Sequence, residues 1–185
     1  MGADVTVLDR YLPRLRYLDD VFGGTFKNAY ASEGNIIELA RQADMIIGAV
    51  LIPGAEALKL ISRAQLSELK PGAALVDVAI DQGGCLETSR ATTFEDPTFV
   101  VDGVVHYCVA NMPGAVARTS TYALNAATIY YAKRIARMGW KEAMREDEHL
   151  LNGLKELLMK KKNGILMYKK RVVLLIKKFH HMPTL

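Results

Sequence analysis

Three short stretches carry residue types that could do chemistry. Asp9 closes the apolar run VTVL, so its carboxylate stands at the end of a buried segment. Residues 76–85, VDVAIDQGGC, end another apolar run at Asp81 and follow it with Gly83 and Gly84. Residues 111–114, NMPG, set Asn111 just before a proline–glycine break. A carboxylate at a strand end can accept hydrogen bonds from both hydroxyls of a ribose and repels a 2′-phosphate. A carboxylate beside two glycines can exchange protons with a ligand that the missing side chains let come close. Asn111, a neutral donor and acceptor, suits a carboxamide or a ribose. Each stretch also fits a plainer use: a solvated strand end at Asp9, an Asp-x-Gly-Gly turn at Asp81, an Asx-turn at Asn111.

The elements that would position these residues can be read from period and punctuation. Val5–Leu8, Met45–Val50, Ala73–Ile80 and Thr98–Val101 read as short buried strands, and the continuous apolar run MIIGAV over Met45–Val50 suits a strand covered on both faces. Pro13–Phe22 reads as a helix, with Pro13 in its first turn, Leu15, Leu18 and Phe22 on one face and Gly23 as its cap. Ser32 can cap a helix through Ala43 that turns Ile36, Leu39, Ala40 and Ala43 inward. Ser62–Leu69 is a short helix stopped by Lys70-Pro71-Gly72. Beyond Pro113 the pattern changes: Thr119, Ser120 and Thr121 offer caps to a long helix over Tyr122–Met138, and a second helix covers Trp140–Arg145. Strands separated by helices imply right-handed crossovers and a parallel α/β sheet.

In such a sheet ligands bind at the carboxyl ends of the strands. Asp9 and Asp81 both fall there. In a dinucleotide-binding sheet the ribose-binding acid follows a glycine-rich loop by about 20 residues and ends the second strand. The sequence opens at the strand that Asp9 ends, so the expected sheet is an incomplete one of Rossmann type. The first strand of that fold lies in the middle, where the strand order reverses. Its omission is expected to leave a gap between the Val5–Leu8 and Met45–Val50 strands, about 4.8 Å from each.

Charge and composition narrow the function classes. The formal charge of +4 comes from the tail: from Lys155 to Lys178 a series of lysines and Arg171 face only Glu156. The body is therefore mildly acidic, which gives little support to nucleic-acid binding. No run of 18 apolar residues suggests a membrane span, and MGADVTVLDR lacks the regions of a signal peptide. Two cysteines, Cys85 and Cys108, make no disulfide framework, and a reducing cytoplasm is expected. The tail itself alternates lysine and apolar clusters; it fits a loosely ordered extension, or an amphipathic helix on a membrane surface.

The segments GADVTVLDR, ADMIIGAVLIPGAEALKLIS, LKPGAALVDVAIDQGGCLETSR and HYCVANMPGAVARTSTYALNAAT together resemble the alanine dehydrogenases, almost continuously over residues 2–154. That resemblance implies NAD-dependent conversion of L-alanine to pyruvate and ammonia by a cytoplasmic homohexamer. It implies that Asp9 binds the adenine ribose, with Arg14 a nearby cofactor residue. Val50 and Leu51 would pass the cofactor, Val78, Ala79, Ile80 and Asp81 would lie beside the nicotinamide, and Val109, Ala110, Asn111 and Met112 would form the last cofactor loop. Asp81 would be the catalytic aspartate. No metal is implied. Three parts follow: a NAD-binding domain over 1–118, a helical segment over 119–154 that returns to a substrate domain, and a divergent tail over 155–185.

The sequence also departs from the family. Ala31 stands where a serine is usual, with Ser32 next to it. The glycine loop, the catalytic histidine, and the lysine and arginine that hold the substrate carboxylate all lie upstream in the family. His106, His149, His180 and His181 do not replace that histidine, so the chain alone is expected to be inactive. Two other readings are the NAD-binding subunit of proton-translocating transhydrogenase and a non-catalytic binding or assembly module. The run NMPGAVARTST followed by YALNAAT favours alanine dehydrogenase over the former.

Overall fold

The computed structural model describes residues 2–51, 58–161 and 170–177; for Leu51, 155–161 and 170–177 the description is of the backbone. The chain divides into two compact units, Met1–Ala110 together with Tyr168–Leu185, and Asn111–Met167.

The first unit is built on one sheet. Its strands are β1 (Asp4–Asp9), β2 (Lys27–Tyr30), β3 (Met45–Leu51), β4 (Ala74–Asp77), β5 (Thr98–Val101), β6 (Val104–Tyr107) and β7 (Lys170–Lys177). They lie in the order β2-β1-β7-β3-β4-β6-β5. β1 pairs parallel with β2, β3 with β4, and β4 with β6. β7 runs antiparallel to both β1 and β3, so those two point the same way, as the sequence predicts. β5 closes the far edge antiparallel to β6 through a hairpin at Asp102 and Gly103, both at positive φ. Without β5, this is the 3-2-1-4-5-6 order of a Rossmann sheet, with β7 in the position of the first strand. The gap expected between β1 and β3 is therefore filled, and by a strand of the tail that runs in the reverse direction.

Among the described residues this unit holds two α-helices. α1 (Leu12–Phe22) carries Pro13 in its first turn, and Gly23 ends it at φ 58, donating its N–H to the Asp19 carbonyl. Leu15 is buried, but Phe22 is half exposed and lies against Phe26 instead of the core. α2 (Glu33–Ala40) starts where expected: the Ser32 hydroxyl accepts the Asn35 N–H at 3.2 Å. It stops at Ala40, short of the expected Ala43, although Ala43 is itself buried. Ser62–Leu69 forms a 3-10 turn over Ala64–Glu68 in place of an α-helix. The core joins Leu8, Ile36, Ala40, Ile46, Val50, Leu66 and Leu75 across strands and helices. Each such leucine or isoleucine contributes about 1.5–3 kcal/mol by leaving water.

The expected strand over Ala73–Ile80 is cut short. β4 ends at Asp77, because the Asp77 side chain accepts the Ala79 N–H and turns the chain into a 3-10 turn over Ile80–Gln82. β2 was not anticipated; KNAY is short, half polar and at the sheet edge.

The second unit is helical. α3 (Ala117–Met138) begins earlier than its candidate caps. Ser120 lies inside it and donates to the Pro113 carbonyl at 2.8 Å. α4 (Trp140–Glu146) matches the expected second helix, and α5 (Glu148–Lys161) extends into the region taken for tail. Arg134 on α3 bonds Glu146 at 3.0 Å and so joins α3 to α4. Among the described residues, no helix is long and apolar enough to cross a membrane.

Candidate functional site

Because β1, β3, β4 and β6 share one direction, their carboxyl ends share one edge of the sheet. That edge gathers Asp9 from β1, Val50 and Leu51 from β3, the Val78–Asp81 turn after β4, and Val109 and Ala110 after β6. Most of the candidate residues are thus brought to one place by topology alone. Asn111 and Met112 fall in the second unit, at its start. Asn111 takes the left-handed conformation at φ 59, and its carbonyl accepts the Gly114 N–H at 2.8 Å; this is a backbone turn, without the side-chain bond of the expected Asx-turn.

Asp9 is buried, 4% exposed. Its Oδ1 accepts the Tyr11 N–H at 2.9 Å, and its carbonyl accepts the Ala31 N–H at 3.1 Å. The other carboxylate oxygen has no hydrogen-bond partner among the described residues. Arg10 reinforces the corner: its Nε donates to the Ala31 carbonyl at 3.0 Å. Arg14, in the first turn of α1, is exposed with its guanidinium over the Tyr17 ring. Ala31 is buried, and the neighbouring Ser32 hydroxyl is engaged as the α2 cap.

The turn after β4 is the most elaborately built part of the edge. Asp77, fully buried, accepts from the Ala79 N–H at 3.0 Å, the Cys85 N–H at 2.8 Å, the Cys85 thiol at 3.3 Å and the Ser89 hydroxyl. Lys59 closes it from outside, donating to the Gly83 and Gly84 carbonyls at 2.6 and 2.8 Å. Gly84 sits at φ +73, and a Cβ there would meet Ser89 Cβ at 2.7 Å and Asp77 Oδ2 at 2.8 Å. Only glycine fits. The plain reading of the two glycines as turn-formers therefore holds for Gly84, and the turn they shape presents Asp81. That carboxylate is exposed and has no hydrogen bond among the described residues. Val78, whose N–H bonds the Gly48 carbonyl at 2.8 Å, is half exposed. Val50, Ala79, Ile80 and Val109 are buried, so they can offer a ligand only their backbone.

Behind this edge lies a buried polar cluster around Asp77. Burial, reinforced by the Asp77 charge, pushes the thiols of Cys85 and Cys108 up and keeps both protonated and unreactive. Burial also pulls the His106 imidazole below its ordinary value. His106 is fully buried in β6, shares a 2.8 Å hydrogen bond with the Thr88 hydroxyl and stacks on Phe99. It is a core histidine. His149 lies at the start of α5 with its ring edge-on to Tyr131; His180 and His181 lie outside the described residues. Among the described residues no cluster of three or more His, Cys, Asp or Glu could hold a metal ion.

Asp77, Ser89 and Lys59 were not singled out from the sequence. One signal was available: an aspartate inside an apolar strand run needs several donors to be buried at all.

Sheet order and strand-end acids together define a nucleotide-binding domain of Rossmann type. The model of the family "Alanine dehydrogenase/PNT, C-terminal domain" matches residues 1–162, and the chain belongs to that family. It is 58% identical over 154 residues to the alanine dehydrogenase of Halomonas elongata, covering 83% of this chain and 42% of that protein. It is 51% identical to that of Mycolicibacterium smegmatis, with the same coverage. Among solved structures, an L-alanine dehydrogenase superposes with a TM-score of 0.74 at 42% identity, over 81% of this chain and 41% of that one. A transhydrogenase from Sinorhizobium meliloti superposes with a TM-score of 0.56 at 28% identity, over 68% of this chain and 36% of that one. The chain thus spans well under half the length of the relatives it matches.

Proposed function

We propose that this chain is the cofactor-binding part of an NAD-dependent alanine dehydrogenase, which converts L-alanine, NAD and water to pyruvate, ammonia and NADH. The observation that carries the reading is the gathering of Asp9 and the Val78–Asp81 turn on one edge of a Rossmann-ordered sheet, in a chain of this family. Asp9 suits the adenine ribose: it has one oxygen anchored and one open, and its charge favours NAD over NADP. Arg14 sits in the helix that follows. Val50, Leu51, Val78, Ala79, Ile80, Val109 and Ala110 supply backbone and small side chains along the same edge, and Asn111 and Met112 complete the set in sequence. In this reading the residues suit the two ends of the dinucleotide. At its middle, where a glycine loop and a helix N-terminus would hold the pyrophosphate, stands the start of β7.

Bound NAD supplies the hydride acceptor. Asp81, exposed on a turn that Asp77 fixes from behind, can hold or take up a proton at its carboxylate. Fixing matters because reacting groups must be held about 3–3.5 Å apart in the right orientation. The groups that grip alanine belong, in this reading, to the rest of the enzyme, and the chain alone does not turn over. The same reading divides it into a NAD-binding domain over 1–118, a helical return to the substrate domain over 119–154 and a tail over 155–185. It also places the whole enzyme in the cytoplasm as a homohexamer. The weaker likeness to the transhydrogenase supports this reading over a transhydrogenase subunit.

A hydrogen-exchange footprint tests the site. The protein to use joins the part of the Halomonas elongata enzyme that this chain lacks to residues 1–161. Added NAD is expected to slow exchange at 9–14, 50–51, 78–81 and 109–112, and NADP to do so only weakly. A footprint elsewhere, or equal protection by NADP, would reject the assignment.

A further inference from the structure

The centre of a parallel sheet is an unusual place for a reversed strand. β7 pairs along its length with both neighbours, from Asp4↔Lys177 to Asp9↔Val172 on β1 and from Met45↔Ile176 to Leu51↔Lys170 on β3. β1 and β3 do not pair with each other and meet the rest of the sheet only on their outer sides. Their inner edges therefore carry two facing rows of backbone N–H and C=O groups. Leaving such rows unpaired inside a fold is costly, and exposed apolar edges recruit other strands. Both strands are apolar, VTVL and MIIGAV, and Leu8, Ile46 and Val50 are buried in the core beside the slot.

We propose that the facing edges of β1 and β3 form a strand-acceptor site, and that its occupant in this chain is the chain's own segment Lys170–Lys177, held as an exchangeable strand. The chemistry of that segment fits. KRVVLLIK has five consecutive apolar residues, three of them β-branched (Val172, Val173 and Ile176), no proline or glycine, and cations at both ends. Strand addition takes its affinity from main-chain hydrogen bonds, here on two sides at once, and its selectivity from the apolar fit. Hydrogen bonding accepts either direction, and antiparallel pairing is slightly the more stable per residue. A parallel first strand of a dinucleotide-binding sheet needs the same slot, so it and β7 exclude each other. That consequence rests on the Rossmann reading above; the acceptor site does not, and its test involves no NAD.

Paired cysteines in the full chain test the register. Val7→Cys with Leu174→Cys, and Ile47→Cys with Leu174→Cys, place cysteines at directly opposed positions on each side of β7. Under mild oxidation both pairs are expected to form intramolecular disulfides, mapped by peptide mass spectrometry. A control moving the tail cysteine to 172 is expected to cross-link at least 10-fold less. Equal cross-linking of control and opposed pairs would overturn the proposal. Exchange is read on Val173→Pro/Leu175→Pro, which removes two ladder donors. Amide protection should fall in β1 and β3 together and return when a peptide of residues 168–179 is added. Unchanged protection in the proline variant, or no return with the peptide, would equally overturn it.

Discussion

Asp9 and Asp81 sit at the same sheet edge in different surroundings, and the proposed function gives them different work. Asp9 is buried and half satisfied by its own backbone corner, as a binding residue should be; Asp81 is exposed and unpaired among the described residues. In an enzyme restored by adding the missing part, Asp81→Asn is expected to lower kcat about 10²–10⁴-fold, the usual cost of a positioned acid–base group, with little change in NAD affinity. Asp9→Asn should instead raise the Kd for NAD and leave kcat nearly intact. Steady-state kinetics and a binding titration check the pair; an Asp81→Asn enzyme with normal kcat would make Asp81 a loop-shaping residue. Asp77 belongs to the fold. Asp77→Ala strands two buried N–H donors, each worth about 1–3 kcal/mol, and chemical denaturation should report a loss of that order. His106 gives a pH signature. Its imidazole is held neutral below the ordinary 6.5, so unfolding takes up a proton. Its share of stability is whole above pH 6.5 and is lost as pH falls toward the lowered folded value. His106→Gln should flatten the fall in stability between pH 7 and 5, by at most about 1.4 kcal/mol per pH unit; an unchanged slope would remove His106 from the account. Asp9 and Asp81 were legible in the sequence because each ends an apolar run. Asp77 was not, because all but one of its donors come from eight and twelve residues further on and only the folded turn brings them together.

The strands β1, β3 and β5 and the helices α1 and α4 follow from apolar period and punctuation, and the structure places them within a residue or two of expectation. Elements whose boundaries depend on tertiary bonds were less legible. β4 stops early because the Asp77 side chain captures the Ala79 N–H, and α3 starts early without a side-chain cap. The tail strand was hidden for another reason. A run such as RVVLLI fits a strand and a helix face equally, and only the two open edges of β1 and β3 decide between them. Packing between elements also yields a test. Gly48 in β3 stands opposite Asp77, and a Cβ there would lie 2.1 Å from the Cys85 sulfur. Gly48→Ala should therefore cost about 1–3 kcal/mol by overpacking. Adding Cys85→Ala makes room and should recover part of that cost in a double-mutant cycle. Strictly additive losses in thermal melts would mean that the strand and the turn do not press on each other.

As a molecule, the chain carries a Rossmann-ordered sheet with Asp9 and Asp81 at the carboxyl ends of its strands. Its central slot is closed by its own tail. The family match extends over residues 1–162 and so stops before β7 begins. Fold class and family were legible because the body keeps the motifs of the alanine dehydrogenases at their spacing. The filled slot was not, because the tail departs from them. Turnover decides whether the reading is right. Alanine-dependent NADH formation should be measured at 340 nm for the purified full chain, and for residues 1–161 joined to the part of the Halomonas elongata enzyme that this chain lacks. The joined protein should oxidise L-alanine with NAD while the chain alone shows no rate above background. Turnover by the chain alone, or a folded joined protein that binds NAD yet leaves alanine untouched, would overturn the assignment.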